Sequence, residues 1–398
     1  MAVDPRQVVA GFLTLSMFVM LGNMIKHDHF SPGTELGLEA TGAEFNTMKL
    51  EDNAEMSNID TSGVENLMDT AEEVKPCWTK PSPNLNLSQK NMLTDTNTIS
   101  AETQPSNGFV TFSLTMGPEY HISQITDAVV VARYLGATLV LPDIRGNELG
   151  NKRKFQDMYN MDKFVRSLDG IVEVIEELPD EVSAKKPAVI RVPNRVTESF
   201  ITDTIQPIFQ TNSYLRLAVV FSSVSLRPRE TNNKDLDATA CLAMFSGLEL
   251  KHEYSEVARK MSDKLKEISR KSGGKVLAID LRTDLLEKKG CKTTRGARRK
   301  GCYNADEDDI IPAENKGEFL KASNDDLARA LDLEICSQSD VFIPAIAGLF
   351  YGHVTGKRIA SGHTQILVPS QSSASTQASD FISTYISNKN HLAYKCYC

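Results

Sequence analysis

Apolar residues change their spacing most clearly between residues 108 and 144. Residues 109–114 form a short apolar run rich in aromatic and β-branched side chains, which predicts one buried strand. From His121 onward the apolar residues recur at helical spacing, which predicts a helix with a single buried face that ends at Gly136. Residues 138–141 form a second apolar run. Strand, helix and strand together predict a βαβ unit, the building block of parallel α/β sheets.

The loop between this first strand and its helix contains the first candidates for ligand binding. In parallel sheets ligands lie beyond the carboxyl ends of the strands, where free N–H groups of a helix N-terminus also favour phosphate. Gly117, Glu119 and His121 lie at this place. Glu119 is a candidate general base, and His121 is a candidate donor to a phosphate or a sugar hydroxyl. A surface or capping role is equally compatible with the position of His121. Arg133, further along the helix, is compatible with an ordinary structural ion pair.

Similar patterns continue through the second half of the chain. Helical spacing predicts helices over residues 161–178, 240–250, 254–268 and 327–335, and apolar runs predict strands over 188–192, 215–221, 275–282 and 341–344. Another helix is expected to open within residues 346–351. Because the step from helix 254–268 to strand 275–282 is again of α/β type, a second domain is expected to begin near residue 236.

Residues 7–25 are uncharged and rich in Val, Leu, Met and Phe, and they reach the lower length limit of a membrane-spanning helix. No small-residue cleavage site follows, which favours a signal anchor over a cleaved signal peptide. A type II orientation is expected, with residues 1–6 as a cytoplasmic tail. Residues 26–105 are polar and lack periodicity, which predicts a disordered lumenal stem. Within it, Asn86 begins an N-glycosylation sequon, and residues 75–78 are expected to dock on the folded part.

Composition narrows the function classes. The 398 residues exceed one average domain, and 41% hydrophobic with 24% charged residues is typical of globular proteins. A formal charge of −8 argues against a general nucleic-acid binder. The seven cysteines lack zinc spacing, whereas Cys291 and Cys302 flank a polar basic loop and predict a disulfide in an oxidising compartment. Asp235-Leu236-Asp237 lacks supporting context, so no metal site is expected.

Two more sites in the second half could contact a ligand. Arg282 ends the strand 275–282, where a guanidinium can fork two phosphate oxygens. An ion pair with Asp280 or Asp284 is equally compatible with its position. Ser339 and Asp340 lie at the next junction of a helix with a strand, where Asp340 is compatible with ribose or base binding and with capping of backbone groups.

These motifs resemble a known family. The run H-I-S-Q-I-T-D-A-V-V-V-A-R-Y-L-G-A-T-L-V-L-P, which starts at His121, resembles the first signature of the plant GDP-fucose protein O-fucosyltransferase-like family. The motif A-I-D-L-R at 278–282 stands where that family has H-L-R, and S-D-V-F-I-P-A-I-A-G-L-F-Y-G from Ser339 resembles its last signature. Both ends of the chain are similar to the mannan-synthesis-related subgroup.

The resemblance implies a single-pass type II Golgi membrane protein with a GT-B-like fold of two Rossmann-like domains, here 106–235 and 236–398. It implies inverting, metal-independent transfer from a nucleotide sugar, nominally GDP-fucose, without another cofactor. The acceptor would be a polysaccharide or glycoprotein, in the synthesis of mannan or another wall polysaccharide. By this resemblance Arg282 is central to transfer. Donor contacts are expected from Gly117, His121, Arg133, Asp280, Arg282, Ser339 and Asp340.

Two departures from the family pattern keep other functions open. The family histidine of H-L-R is Asp280 here, and an anion near a diphosphate is unfavourable unless it is paired or turned away. A strand-and-helix unit is missing after Cys302, so the second domain is expected to be shortened there. The alternatives are a non-catalytic Golgi partner that supports a mannan synthase and a transferase for another sugar such as rhamnose.

Overall fold

The computed structural model describes residues 75–81, 106–145, 152–229, 231–270, 273–280, 314, 325–344, 347–368 and 382–397. The predicted anchor at 7–25, the sequon at Asn86, Arg282, and the cysteines Cys291 and Cys302 lie outside these residues. Within them, no helix is both long and apolar enough to cross a membrane.

The described residues form an α/β fold. Its strands are β1 Phe109–Thr111, β2 Ser113–Leu114, β3 Thr138–Val140, β4 Asp143–Arg145, β5 Lys152–Arg153, β6 Val174–Ile175, β7 Ala188–Pro193, β8 Tyr214–Val220, β9 Leu277–Asp280 and β10 Val341–Pro344. Its helices are α1 Pro118–Leu135, α2 Met161–Leu168, α3 Asp180–Ser183, α4 Glu198–Phe200, α5 Gln206–Asn212, α6 Lys234–Cys241, α7 His252–Ser269, α8 Asp325–Gln338, α9 Leu349–Ala360, α10 Thr384–Ser387 and α11 Ala393–Cys396. A π-helical segment, Ile201–Ile205, continues α4, and another, Leu242–Gly247, continues α6. A single 3₁₀-helical turn covers Phe155–Asp157.

A five-stranded sheet in the order β6-β3-β1-β8-β7 organises the first half of the described chain. All of its pairings are parallel, and Phe109 of β1 lies opposite Thr138 of β3 and Tyr214 of β8. The predicted βαβ unit is therefore confirmed. The predicted strand 109–114 divides at Phe112, because Ser113 and Leu114 leave this sheet to pair with β4 in a smaller one.

Helix α1 is the centre of the described core. It is buried along almost its whole length, against β1, α6, α8 and α9. The expectation of a single buried face is thus wrong, because helices from later in the sequence cover the sides that the sheet leaves open. Gly136 ends the helix with φ 61° and ψ 37°, the left-handed conformation that glycine adopts without steric cost.

A second, two-stranded parallel sheet lies in the later part of the chain. Strand β9 pairs with β10, so that Leu277 is opposite Val341 and Asp280 is opposite Pro344. Helix α8 precedes β10 and packs on α7 and α9, which brings the amphipathic helices predicted from spacing into one layer. The assignment of residues 106–235 and 236–398 to separate domains stays a prediction.

Some predicted boundaries were wrong. The helix predicted over 161–178 ends at Leu168, and Val174 and Ile175 form β6 at the edge of the large sheet. The helical segment from Glu198 to Asn212 was not predicted at all.

The ends of the described chain are tied to its core. Pro76 pairs with Tyr397, and the backbone N–H of Cys77 donates to Cys396, which confirms that residues 75–78 dock on the folded part. A disulfide joins Cys241 at the end of α6 to Cys396 in α11, across 155 residues of sequence.

Candidate functional site

The loop before α1 is held by hydrogen bonds to a side chain of that helix. Met116 has a positive φ of 65°, and Gly117 precedes the first helical residue in an extended conformation. The backbone N–H of Thr115 donates to Oε1 of Gln124 at 3.1 Å, and Nε2 of Gln124 donates back to the Thr115 hydroxyl at 2.9 Å. A Cβ at Gly117 would come within 2.6 Å of Oε2 of Glu119, which shows that this carboxylate folds back over the glycine.

Glu119, in the first turn of α1, belongs to a network of charges that joins this end of the helix to the carboxyl end of β9. Nε of Arg329, on α8, lies 3.7 Å from Oε1 of Glu119. Nη1 of the same arginine lies 3.4 Å from Oδ1 of Asp280, the last residue of β9. The Glu119 and Asp280 side chains are both largely buried, so each carboxylate needs a nearby cation. Arg329 therefore connects two of the residues singled out in the sequence.

An aromatic ring fixes the orientation of this arginine. Cζ of Arg329 lies 3.5 Å from the ring centroid of Phe350, in the first turn of α9, which is a cation–π arrangement. No sequence pattern indicated Arg329, because it occupies an ordinary position of an amphipathic helix. Its separation of 49 residues from Asp280 makes the contact purely tertiary.

His121 is buried completely and faces protein groups. Its Nδ1 lies 2.8 Å from the Tyr159 hydroxyl. Burial, together with the nearby positive charge of Arg153, lowers the pKa of His121 to about 3, so the ring is neutral at physiological pH. The predicted contact with a phosphate stays a prediction, and the described geometry assigns the ring to the support of the loop.

A second buried histidine joins α9 to α1. Nε2 of His353 lies 3.1 Å from the Ser123 hydroxyl, and burial lowers the pKa of this histidine to about 3. Neutral imidazoles can share such a hydrogen bond without the cost of a buried charge. The contact holds the first turns of α1 and α9 against each other, next to Arg329 and Phe350.

Arg133 is placed away from this cluster, near the other end of α1. Its Nε donates to Oδ2 of Asp235 at 3.0 Å, and Nη1 donates to the backbone carbonyl of Ile171 at 3.0 Å. These contacts match the structural ion pair that was one of its two sequence interpretations. Asp235 belongs to the D-x-D triplet, and in the described residues no three His, Cys, Asp or Glu side chains lie close enough together to hold a metal ion.

Ser339 and Asp340 lie at the amino end of β10, whereas Asp280 lies at the carboxyl end of the adjacent parallel strand. The Ser339 hydroxyl donates to the carbonyl of Cys336 at 2.9 Å. Oδ2 of Asp340 accepts the backbone N–H of Val276 at 2.7 Å. Both side chains therefore stabilise the junction of α8 with β10, which corresponds to the capping interpretation of Asp340. Their part in a donor pocket stays a prediction.

A cavity of about 90 Å³ lies beside α1, just beyond the carboxyl end of β7. Asp127 lines it and accepts the backbone N–H groups of Arg195 and Val196, each at 2.9 Å. Desolvation raises the pKa of this carboxyl to about 7, although the two hydrogen bonds and the guanidinium groups of Arg195 and Arg229 oppose the shift. The remaining lining includes Ser123, Thr126, Glu198, Asn233 and Leu236.

Comparisons with known proteins agree on a family. The family model described as GDP-fucose protein O-fucosyltransferase matches residues 120–308. Protein MANNAN SYNTHESIS-RELATED 1 of Arabidopsis thaliana is 43% identical over 440 aligned positions, which cover 100% of both chains. Protein MANNAN SYNTHESIS-RELATED of Trigonella foenum-graecum is 38% identical, again with 100% of both chains covered.

A solved structure gives a weaker likeness. The crystal structure of POFUT1 in complex with GDP aligns with 67% of this chain and 99% of that chain, at 14% identity and a TM-score of 0.34. This likeness is too low to carry an argument. The alignment with the Arabidopsis relative is longer than the 398 residues of this chain, so that relative has segments that this chain lacks.

Proposed function

This chain belongs to the mannan-synthesis-related subgroup of the GDP-fucose protein O-fucosyltransferase family, and we propose that it is a glycosyltransferase of cell-wall mannan synthesis. Its donor is a nucleotide sugar, GDP-fucose in the first instance, and its fold is the GT-B-like pair of Rossmann-like domains. The observation that carries the proposal is the contact of the α1 loop with the carboxyl end of β9 through Arg329, because ligands of parallel sheets bind beyond such strand ends.

The proposed reaction is a single displacement with inversion at the anomeric carbon. A hydroxyl oxygen of the acceptor forms a bond to that carbon, while the bond to the nucleotide diphosphate breaks and its electron pair stays on the phosphate oxygen. Arg282, two residues beyond Asp280, is proposed to stabilise the negative charge that develops on the leaving group. Glu119 is proposed to take the proton of the acceptor hydroxyl, because its carboxylate lies at the loop that faces this strand end.

The location proposed for this reaction is the Golgi lumen, behind a single-pass type II anchor at residues 7–25. The Cys241–Cys396 disulfide supports an oxidising compartment. The partners proposed are the Golgi membrane, a polysaccharide or glycoprotein acceptor and a mannan synthase.

The test is product formation by the purified full chain. With GDP-fucose and a mannan oligosaccharide, we expect release of GDP and a product one sugar heavier in mass spectrometry. Arg282→Ala should lower the rate about a hundredfold or more, because one group that stabilises transition-state charge is lost. Arg259→Ala is the matched control, since this arginine is exposed on α7 and pairs only with neighbouring acidic residues. A panel of nucleotide sugars, including rhamnose donors, identifies the sugar.

A non-catalytic role in support of a mannan synthase is the second candidate. Asp280, in place of the family histidine, favours it, as do the residues that this chain lacks relative to the Arabidopsis protein. In a plant line without the protein, Arg282→Ala would then restore mannan as well as the unmodified chain does. A catalytic function requires that it fail.

A further inference from the structure

We propose that Arg329 is a donor-binding residue that contacts the diphosphate of the nucleotide sugar and shields it from the carboxylates of Asp280 and Glu119. The inference rests on the proposed function and adds to it a residue that neither the family signatures nor the sequence patterns indicated.

The guanidinium of Arg329 is held in place without using all of its donors. The ring of Phe350, 3.5 Å from Cζ, fixes its plane. Its nearest carboxylate oxygens lie 3.4 Å away on Asp280 and 3.7 Å away on Glu119, both longer than the 2.7–2.9 Å of a strong charge-assisted hydrogen bond. Its Nη2 is buried and has no hydrogen-bond partner within the described residues. Buried donors are nearly always paired in folded proteins, so this one requires an explanation.

Other ion pairs of the same helix have short nitrogen–oxygen distances. Asp326, also on α8, accepts from Arg153 at 2.8 Å, and Glu334 accepts from Lys357 at 2.7 Å. The helix is therefore able to form short ion pairs with the neighbouring elements. The loose coordination is particular to Arg329, which is the α8 cation that faces both the α1 loop and the end of β9.

The surrounding charges point to an anionic ligand that brings its own partner for Nη2. Asp280 and Glu119 are largely buried, and Asp332 lies 3.9 Å from Nη1 one turn further along α8. Without Arg329 these carboxylates would repel a diphosphate at this strand end. With Arg329 between them, a phosphate oxygen can accept from the unused donor while the two carboxylates hold the guanidinium from the other side.

The test compares ligands that differ only in their phosphates. The affinities of the purified full chain for GDP and for guanosine are measured by titration calorimetry, for the unmodified protein, Arg329→Ala and the exposed control Arg259→Ala. We expect Arg329→Ala to weaken GDP binding about 10- to 100-fold, the range of a lost charge-assisted hydrogen bond, and to leave guanosine binding within about twofold. Arg259→Ala should change neither affinity.

A rescue experiment distinguishes an electrostatic effect of Arg329 on GDP binding from an effect on the local structure. Adding Asp280→Asn to Arg329→Ala removes one repelling carboxylate, so this double variant should regain part of the lost GDP affinity. Equal losses for GDP and guanosine would mean that Arg329 only maintains the structure, and an unchanged affinity for GDP would mean that no phosphate contacts it. Either result overturns the inference while the proposed function stands. An unmodified chain that binds neither GDP nor GDP-fucose would overturn the proposed function and this inference together.

Discussion

Arg358 is the largest fully buried side chain of the described residues, and both of its terminal guanidinium nitrogens donate to backbone carbonyls. It donates to the carbonyls of Cys336, Ser339, Asp340 and Gln365. Burial lowers the pKa of Arg358 to about 10, so the side chain remains charged at neutral pH. One cation therefore satisfies the last carbonyls of α8 and the start of β10, the junction that directs this strand toward the candidate site.

We expect Arg358→Met to lower the free energy of unfolding by more than about 3 kcal/mol, because several buried carbonyls lose their donor at once. Denaturant unfolding measures the change. The same substitution at the exposed Arg259 should cost no more than about 0.5 kcal/mol. Similar costs at the two positions would mean that the network around Arg358 contributes little.

Asp127 should make the stability of the protein depend on pH. Its pKa is raised to about 7 in the folded state from an ordinary value of 3.8, so the folded state binds the proton more tightly than the unfolded state does. The contribution of the protonated Asp127 to the free energy of unfolding is fully present below about pH 4. It is lost as the pH rises toward 7, by at most about 1.4 kcal/mol for each pH unit. Relative to Asp127→Asn, the unmodified protein should therefore lose free energy of unfolding between pH 4 and pH 8. Parallel stability curves would contradict the raised pKa.

The sequence identified part of the candidate site. Gly117 and Glu119 could be found because they lie within a local βαβ pattern, and Asp280 could be found because it stands at the histidine position of the family motif H-L-R. Arg329 and Phe350 could not, since their positions next to Asp280 depend on how α8 and α9 pack. Ser339 and Asp340 were noticed for their place at a junction, but the sequence could not show that their side chains bond to the backbone of Cys336 and Val276.

At the scale of elements, α9 depends on two glycines one turn apart. A Cβ at Gly352 would lie 2.9 Å from Cδ1 of Leu226. A Cβ at Gly356 would lie 2.6 Å from Cε1 of Phe245 and 2.9 Å from Cε1 of His391. The bare backbone at these positions lets α9 approach its neighbours closely, and Phe350 and His353 on the same helix are positioned by this approach.

We expect Gly356→Ala to destabilise the protein by about 1–3 kcal/mol, the usual cost of overpacking a filled interior. Gly348→Ala, just before the same helix, is the control. No atom lies within 4 Å of its added Cβ, and its φ of 161° is extended, so we expect a change below about 0.5 kcal/mol. The midpoints of thermal unfolding of both variants measure the difference. Equal midpoints would show that α9 shifts without a loss of stability.

Elements were predictable where the apolar pattern is long and local. The strands at 188–192 and 215–221 lie within one residue of β7 and β8 because each is a continuous run. Strand β6 was missed because it consists of only Val174 and Ile175, which pair with β3 and have no pattern of their own. The buried sides of α1 were missed because helices distant in the sequence cover them.

At the scale of the whole molecule, the Cys241–Cys396 disulfide ties the end of α6 to the last described helix. No sequence pattern singled out this pair, because 155 residues separate the two cysteines and seven cysteines allow many pairings. The link closes a long loop around β9, α8, β10 and α9. It therefore restricts the unfolded chain around every element of the second sheet.

A double-mutant cycle tests this link directly. Cys241→Ala should lower the free energy of unfolding by about 2–5 kcal/mol, since the constraint on the unfolded chain is lost. Cys396→Ala should cost a similar amount, and the double variant should cost no more than either single variant, because one bond can be broken only once. Denaturant unfolding under non-reducing conditions gives all three values. Additive costs would mean that the two cysteines stabilise the protein separately, and the support that the disulfide gives to an oxidising, lumenal location would then be lost.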